Sequence, residues 1–358
     1  MSGRFVRSAC IVVALMAGAG ALVPPAAAAP PPPAQPVGAL LVQLRSLYQK
    51  AEEATEAYNA TAEKLKKQRA KVDKLDEDLA ETRIALTASR DAAGRLAREQ
   101  YRGTASPLSP YVTFLLSGDP QQALVQSHEW RRAAGRRAVT VDRLTAGEKR
   151  SAALASEARD ALNVQQTLAA TQKQQRDTVQ KRLSEVERLL SSLDGAQLAE
   201  LRRLEAGQAD DAQRRFLASA RLTGSRTPSA AGAKAIDFAY QQLGKPYVWG
   251  SEGPESFDCS GLTSQAWAHA GDAIPRTSQE QWASLPRVPL SDLRPGDLVL
   301  YFEGATHVAL YIGNGLVIQA PRTGDRVKIS PVAGNPLLGA VRPDAGAPPL
   351  ASYAPPGD

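Results

Sequence analysis

The sequence is poor in the residues that build disulfide-rich or zinc-binding proteins. Its two cysteines and three histidines, among 358 residues, are Cys10, Cys259, His128, His269 and His307. These numbers exclude a disulfide framework and a Cys-rich metal site, and they disfavour a His-based zinc site. No motif indicates a metal, nucleotide or organic cofactor. Aromatic residues make up only 5%, and no proline lies between Pro120 and Pro228, a composition that suits long helices better than one large core.

Residues 1–29 have the pattern of a secretory signal peptide. Arg4 and Arg7 precede an apolar run at 9–23, and small residues follow at 26–29. This order is typical of an export signal, and the run is short for a bilayer span. We expect cleavage near residue 28 or 29, with a retained N-terminal anchor helix as the alternative. No later segment is apolar enough to span a membrane, so we expect a secreted, extracytoplasmic protein.

Residues 37–220 follow a proline-rich spacer at 30–36 and carry heptad repeats. The first set of a and d positions is Leu44, Leu47, Ala51, Ala54, Tyr58, Thr61, Leu65, Gln68, Val72, Leu75, Leu79, Thr82, Leu86, Ser89, Ala93 and Leu96. A weaker set is Leu162, Ala169, Val179, Leu183, Val186, Leu190, Leu193 and Leu204. This spacing predicts a long coiled coil. Because its seams contain polar residues, the arms either fold back into an antiparallel hairpin or need a partner.

The two arms meet at residues 101–120, a segment that contains glycines, prolines and the apolar cluster 111–116. This predicted hairpin tip either packs the arms together or binds a partner. The N-terminal 233 residues hold 34 basic and 25 acidic residues. No basic patch interleaved with aromatic residues accompanies this charge, which disfavours nucleic acid as a partner. Phosphate-bearing wall polymers or anionic lipids fit better, and a solvated helix surface is the simplest explanation.

A linker rich in Gly, Ser, Thr and Pro is predicted at 221–233. Beyond it, Trp and Tyr appear and period-two strands replace the heptads, so residues 234–343 are predicted to form a compact domain. This domain is nearly neutral, with 9 basic and 10 acidic residues. The proline-rich segment 344–358 is predicted to be a disordered tail.

Cys259 is the one cysteine that would remain after signal cleavage. An apolar residue recurs every fourth position after it, Asp258 is a good N-cap and Gly271 a plausible helix end. Cys259 then lies in the first turn of a helix, where the dipole is expected to lower the thiol pKa and free N–H groups would hold an oxyanion. The alternatives are a thiol paired with another molecule and an inert buried side chain.

A thiolate nucleophile needs a base, and His307 is left by elimination. His128 lies in the helical arm, and His269 is ten residues from Cys259 along one helix, about 15 Å away. His307 begins an alternating strand that is followed by an Asn-Gly turn and a returning strand at 316–320. A histidine in this position is on its own more often structural, but the lone thiol at a helix start favours the catalytic reading.

Gln319, on the returning strand, is the candidate that orients the imidazole. A strict two-residue turn would place His307 and Gln319 on opposite faces of the hairpin. We therefore predict a β-bulge, which the Asn314-Gly315 pair would favour by allowing positive φ. A polar residue that merely stabilises the hairpin is the alternative for Gln319.

Five ordered motifs resemble those of the NlpC-type cell-wall cysteine endopeptidases, papain-like hydrolases of bacterial peptidoglycan. They are Tyr247-Val248-Trp249-Gly250, Phe257-Asp258-Cys259-Ser260-Gly261-Leu262, Pro275-Arg276-Thr277-Ser278, Pro295-Gly296-Asp297-Leu298 and His307-Val308-Ala309-Leu310-Tyr311-Ile312-Gly313. The resemblance covers about residues 234–343. It implies a small α+β papain-like domain, with a nucleophile-bearing helix packed on an antiparallel sheet that bears the base.

By this resemblance Cys259 is the nucleophile, His307 the base and Gln319 the orienting residue, at a position that is often His in the family. Tyr247, Asp258 and Ser260 would line the substrate and oxyanion pocket, and Arg276 would meet a diaminopimelate carboxylate. The resemblance implies that these seven residues belong to a cell-wall-associated enzyme that cleaves stem peptides, usually between D-glutamate (or D-isoglutamine) and meso-diaminopimelate.

The helical half is similar to coiled-coil modules found ahead of such peptidases. Those modules dock on a division-associated FtsEX-type membrane complex and restrain the enzyme until it is signalled. We therefore expect a secreted endopeptidase restrained or positioned by its coiled coil. The alternatives are a non-enzymatic adaptor that grips the cell wall, and an amidase or acyltransferase of the same fold.

Overall fold

The computed structural model describes residues 36–103, 112, 120–219 and 226–356. The predicted signal peptide, nearly all of the proline-rich spacer, the hairpin tip apart from Val112 and the first part of the linker lie outside the described residues. Among the helices that are described, none combines the length and the apolar character needed to cross a membrane.

Two long antiparallel helices form the N-terminal half. Helix α1 is Val37–Gly103 and helix α2 is Pro120–Ser191, the latter starting at the proline position that helices favour. Val72 and Leu75 of α1 pack with Ala161 of α2, and Arg90 pairs with Glu148. The predicted a positions of α1 are buried or half-buried throughout, so the heptad pattern identified the face on which the two arms pack.

The second heptad was predicted to run through Leu204, and the structure divides this stretch between two helices. Helix α2 ends at Ser191, and a reciprocal capping box between Asp194 and Gln197 starts helix α3, Gly195–Ser219. Leu201 of α3 packs with Leu41 of α1. The chain therefore turns between α2 and α3 and forms three packed helices at this end.

The C-terminal domain combines three short helices with a six-stranded antiparallel sheet. The helices are α4 (Ala230–Gln241), α5 (Cys259–Ala270) and α6 (Ser278–Ser284). The strands are β1 (Arg287–Val288), β2 (Leu298–Tyr301), β3 (His307–Gly313), β4 (Leu316–Gln319), β5 (Lys328–Pro331) and β6 (Leu337–Val341), in the order β1-β6-β2-β3-β4-β5, with a 3₁₀ turn at Leu290–Asp292. Alternate strand residues face opposite sides, as the pleat requires.

Both faces of the sheet are covered. Leu298, Leu310 and their neighbours pack against α4 and α5 around the fully buried Trp267. On the other face, Phe216 of α3 joins a second core, and the Gln213 amide donates to the carbonyl of Gly315 at 2.8 Å. Helix α3, predicted to belong to the coiled coil, thus also contributes to the core of the C-terminal domain.

The first and last residues of the ordered C-terminal domain differ from the predicted boundaries. Ser229, assigned to the linker, is the N-cap of α4, so ordered structure begins before residue 234. The segment from 344 was expected to be disordered, but Asp344 pairs with Arg294 and the N–H of Leu350 donates to the carbonyl of Pro228. This segment follows the surface of the domain beside the start of α4, because its backbone finds partners there.

Candidate active site

Helix α5 presents Cys259 at its start, as the sequence predicted. Asp258 is the N-cap and its carboxylate accepts from the N–H of Gly261 at 2.7 Å. Gly271 ends the helix in the left-handed conformation at φ 102°. Cys259 therefore occupies the first turn, where backbone N–H groups have no acceptor within the helix.

Gly261 allows the loop before α5 to approach this first turn. A Cβ at this position would lie 2.3 Å from the carbonyl oxygen of Ser251 and 2.8 Å from Asp258 Oδ1. We expect Gly261→Ala to lower the free energy of unfolding by about 3 kcal/mol through overpacking, as measured by chemical denaturation. Gly207→Ala on exposed α3, where a Cβ meets no atom within 4 Å, is the matched control; equal stability of the two variants would contradict the steric argument.

His307 and Gln319 share one face of the β3–β4 hairpin because of a bulge. The register shifts between Tyr311 and Gly313, and Asn314 has φ 52°. Nε2 of His307 lies 2.7 Å from Oε1 of Gln319. Since that oxygen only accepts, Nε2 carries the hydrogen and Nδ1 presents its lone pair. The predicted bulge is confirmed, and with it the contact that the sequence pattern required.

The predicted pocket residues form one buried network. The Arg276 guanidinium contacts Asp258 at 2.7 Å, Glu252 at 2.7 Å and the Ser260 hydroxyl at 2.8 Å. Arg276 was expected to face a substrate carboxylate, but here its nitrogens are engaged by these three side chains. Tyr247 is buried, and burial together with the nearby Cys259 raises its pKa well above the ordinary value.

The cleft is occupied by part of α1, residues 52–59, which we call the plug. Oε1 of Glu56 accepts from the Ser260 hydroxyl at 2.7 Å, and Oε2 accepts from the N–H of Ser278 at 2.8 Å. The Asn59 amide donates to Asp258 at 3.0 Å. Further along, the ring of Tyr58 meets Trp249 edge-on, with centroids 5.0 Å apart. Polar and aromatic contacts therefore hold the plug against the start of α5.

The plug faces both predicted catalytic groups from successive helical turns. Glu56 Oε1 lies 3.7 Å from Sγ of Cys259, and Glu52 Oε1 lies 3.7 Å from Nδ1 of His307. Four residues separate the two glutamates, which is one turn of about 5.4 Å. The thiol and the imidazole therefore lie at the same cleft, and among the described residues the hydrogen bond of Sγ goes to Glu56 rather than to His307.

The charge state of the site differs from the sequence prediction. Burial, then the carboxylates of Glu56, Asp258 and Glu52, raise the pKa of Cys259 well above its ordinary value. Burial lowers the pKa of His307 to about 4. The helix start was expected to lower the thiol pKa, but desolvation beneath α1 and the nearby carboxylates outweigh the dipole. In this conformation the thiol and imidazole are neutral and the nucleophile is not activated.

The plug was not predicted from the sequence. The heptad assignment placed Glu52, Glu56 and Asn59 outside the seam, where charged residues are normally solvated. A signal was present nonetheless, since residues 51–63 contain no Lys or Arg although the arm as a whole is basic. A helix stretch without cations, rich in Ala and Thr, is the kind of surface that packs against a second domain.

The sequence matches known proteins in its C-terminal part. The NlpC/P60 family model matches residues 244–340. A probable endopeptidase of Corynebacterium glutamicum is 52% identical over 94 residues, which is 26% of this chain and 45% of that protein. The probable endopeptidase p60 of Listeria welshimeri is 49% identical over 88 residues, covering 24% and 17% of the two chains. The chain thus spans less than half the length of these curated relatives.

A solved structure gives a corresponding match. The NlpC/p60 domain of the peptidoglycan hydrolase SagA is 34% identical, and the match covers 31% of this chain and 97% of the solved one, with a TM-score of 0.29. Residues 244–340 of this chain are an NlpC/P60 domain, joined to a long helical hairpin.

Proposed function

We propose that this protein is a cysteine endopeptidase that cleaves peptidoglycan stem peptides and is held inactive by its own helix α1. The observation that carries the proposal is the placement of Cys259 at a helix start and of the Gln319-bound imidazole of His307 against consecutive turns of the plug. The match of residues 244–340 to the NlpC/P60 family supports the same chemistry. The predicted signal peptide supports action outside the cytoplasm, at the cell wall.

The site supplies the parts of a thiol-based acyl transfer. Once the plug leaves, the Cys259 proton moves to Nδ1 of His307 and the thiolate attacks the peptide carbonyl. The imidazolium then protonates the leaving amine, and a thioester remains on the sulfur. Water, deprotonated by His307, hydrolyses the thioester and frees the thiol. Backbone N–H groups at the start of α5 would hold the oxyanion in both halves of the reaction.

The contacts of Glu56 support an acidic substrate. Its two oxygens are held by the Ser260 hydroxyl and the Ser278 N–H beside Cys259, so this part of the cleft offers two hydrogen-bond donors to a carboxyl group. A stem peptide places carboxyl groups next to the bond between D-glutamate, or D-isoglutamine, and meso-diaminopimelate. We propose that bond as the scissile one, with Tyr247, Asp258 and Ser260 around the substrate.

The plug supports autoinhibition. With Glu56 bonded to Cys259 and Glu52 beside His307, a substrate and the plug cannot occupy the cleft together. A second set of contacts, the bidentate pairing of Arg322 with Glu205 of α3 at 2.8 and 3.1 Å, holds the hairpin to the domain. We propose that a partner on the hairpin, of the FtsEX type of membrane complex, pulls the plug away.

Mass analysis of released muropeptides tests the proposed reaction. Purified peptidoglycan containing meso-diaminopimelate is treated with the Glu56→Arg chain, in which the new cation should displace the plug, and with Glu56→Arg/Cys259→Ala. We expect Glu56→Arg to release peptides that begin with diaminopimelate and to leave glycan-linked dipeptides, and Glu56→Arg/Cys259→Ala to release none. Intact stem peptides freed from the glycan would indicate an amidase instead. Wall binding without any product from either protein would indicate the adaptor.

A further inference from the structure

The contact between Glu52 of the plug and His307 of the cleft lacks a hydrogen-bond donor. Nδ1 of His307 and Oε2 of Glu52 are both buried, and among the described residues neither has a hydrogen-bond partner. The Nε2 hydrogen of His307 already goes to Gln319, so Nδ1 presents a lone pair toward an ionised Glu52. Oε1 of the same carboxylate lies 3.7 Å from Nδ1, and burying acceptors on both sides of this contact with no donor between them is costly. A proton on the Glu52 carboxyl would give this pair the donor it lacks.

Glu56, the second glutamate of the plug, lies close to another carboxylate. Its carboxylate and that of Asp258 gather around the Ser260 hydroxyl, and the cation that faces them, Arg276, is already paired with Asp258 and Glu252. The Ser260 hydroxyl can accept as well as donate, so a protonated Glu56 keeps its contact there. A neutral Glu56 would relieve the repulsion between neighbouring carboxylates.

We propose that the plug closes only with bound protons, one on Glu52 donated to Nδ1 of His307 and one on Glu56, so that rising pH releases it. This regulation rests on the autoinhibition proposed above. The titratable and charged groups that face the two glutamates come from α1 itself, the loop after α4, the start of α5, β3, the loop before α6 and the loop after β4. They are Glu52, Glu56, Tyr247, Asp258, Cys259, Arg276, His307 and Arg322.

The direction follows from the groups buried on closure. Burial, with Asp258, raises the pKa of Glu56 from 4.5 to about 7, and burial raises that of Glu52 well above 4.5. A closed-state pKa above the open-state value means that closure takes up protons, so its stabilising effect is present in acid and is lost as pH rises through about 7. The raised pKa of Cys259 acts in the same direction at alkaline pH.

His307 acts in the opposite direction over part of this range. Its pKa is lowered to about 4 on burial, so between about pH 4 and 6.5 closure also releases one proton. Two carboxyl groups outnumber this one imidazole, and above 6.5 they act alone. The net effect is therefore an opening equilibrium that moves toward the open state between about pH 6 and 8.

Spin labels across the plug interface test this proposal without depending on catalysis. Lys67 of α1 and Ala273 after α5 are exposed and line the same surface cavity, which is separate from the catalytic cleft. Both are changed to Cys and labelled in the chain without the predicted signal peptide, in a Cys259→Ala background that has no other cysteine. This background also removes the titration of the thiol, so that the pH response which remains belongs to the other groups at the interface. The distance between the two spin labels is then measured by pulsed electron paramagnetic resonance from pH 5.5 to 8.5.

We expect short distances at pH 5.5 and an opening equilibrium constant that rises at least about 10-fold by pH 8, each released proton contributing at most about 10-fold per pH unit. The Glu52→Gln/Glu56→Gln variant should stay closed throughout, because amides keep the hydrogen bonds without titrating. Glu53→Gln, on the exposed side of the same turn, should respond like the parent chain.

Three results would overturn this closure of the plug by bound protons, which we call the proton lock. Short distances at every pH would remove it and leave autoinhibition standing. An unchanged pH response in the double glutamine variant would assign the titration to other groups. Long distances at every pH would remove both the lock and the autoinhibition on which it rests.

Discussion

Glu56→Arg is expected to raise peptidoglycan hydrolysis by the full-length chain about 10- to 100-fold. The Glu56 carboxylate accepts from the Ser260 hydroxyl and the Ser278 N–H; a guanidinium there would face donors and the cation of Arg276. Burying an unpaired cation beside Arg276 and losing both of these contacts costs several kcal/mol, enough to open the plug. Because the residue leaves with α1, the exposed catalytic groups are unaltered. The rate of soluble muropeptide release measures the effect.

Glu53→Arg is the matched control for this variant. Glu53 lies on the same helix but is exposed, so the same change in charge should leave the rate within about twofold of the parent. The Glu56→Arg/Cys259→Ala variant should be inactive, which assigns the released peptides to the Cys259 thiol. Parent-like activity of Glu56→Arg, with its helices intact by circular dichroism, would show that the plug does not limit the enzyme.

Local signals in the sequence predicted much of the fold and part of the candidate site. The a and d spacing identified the buried face of α1, because apolar residues must meet a second helix. Asp258 and Gly271 marked the ends of α5, because capping depends on the residue itself. The bulge in the β3–β4 hairpin followed from requiring His307 and Gln319 to share a face, and the structure confirms it.

Features that depend on tertiary contacts were not predictable in the same way. Whether Glu52 and Glu56 face water or a cleft depends on where α1 meets a domain some 200 residues later in the chain, and the heptad pattern carries no information on that contact. The thiol pKa depends on the same contact, since α1 buries Cys259 and brings two carboxylates to it. The tail after residue 343 has partners only because the start of α4 lies beside it.

Replacing His307 with Ala is expected to lower kcat about 1000-fold, whereas Gln319→Ala should lower it about 10-fold. His307 would carry the proton in both halves of the reaction, while Gln319 only holds Nε2 at 2.7 Å and so positions the ring. Both are measured in the Glu56→Arg background, so that the plug does not limit the rate. Equal losses for the two variants would contradict this division of roles.

Gln319→Glu tests positioning separately from structural support. A carboxylate accepts the same Nε2 hydrogen but also stabilises the imidazolium, so the pKa of His307 in the unlocked enzyme should rise by roughly one unit. The alkaline limb of the kcat/KM profile should move to higher pH by that amount while KM changes little. An unshifted limb would mean that residue 319 does not govern the imidazole. A shift without loss of rate would mean that the neutral amide of Gln319 sets the pH range in which the enzyme is active and takes no part in bond cleavage. His is frequent at this position in the family.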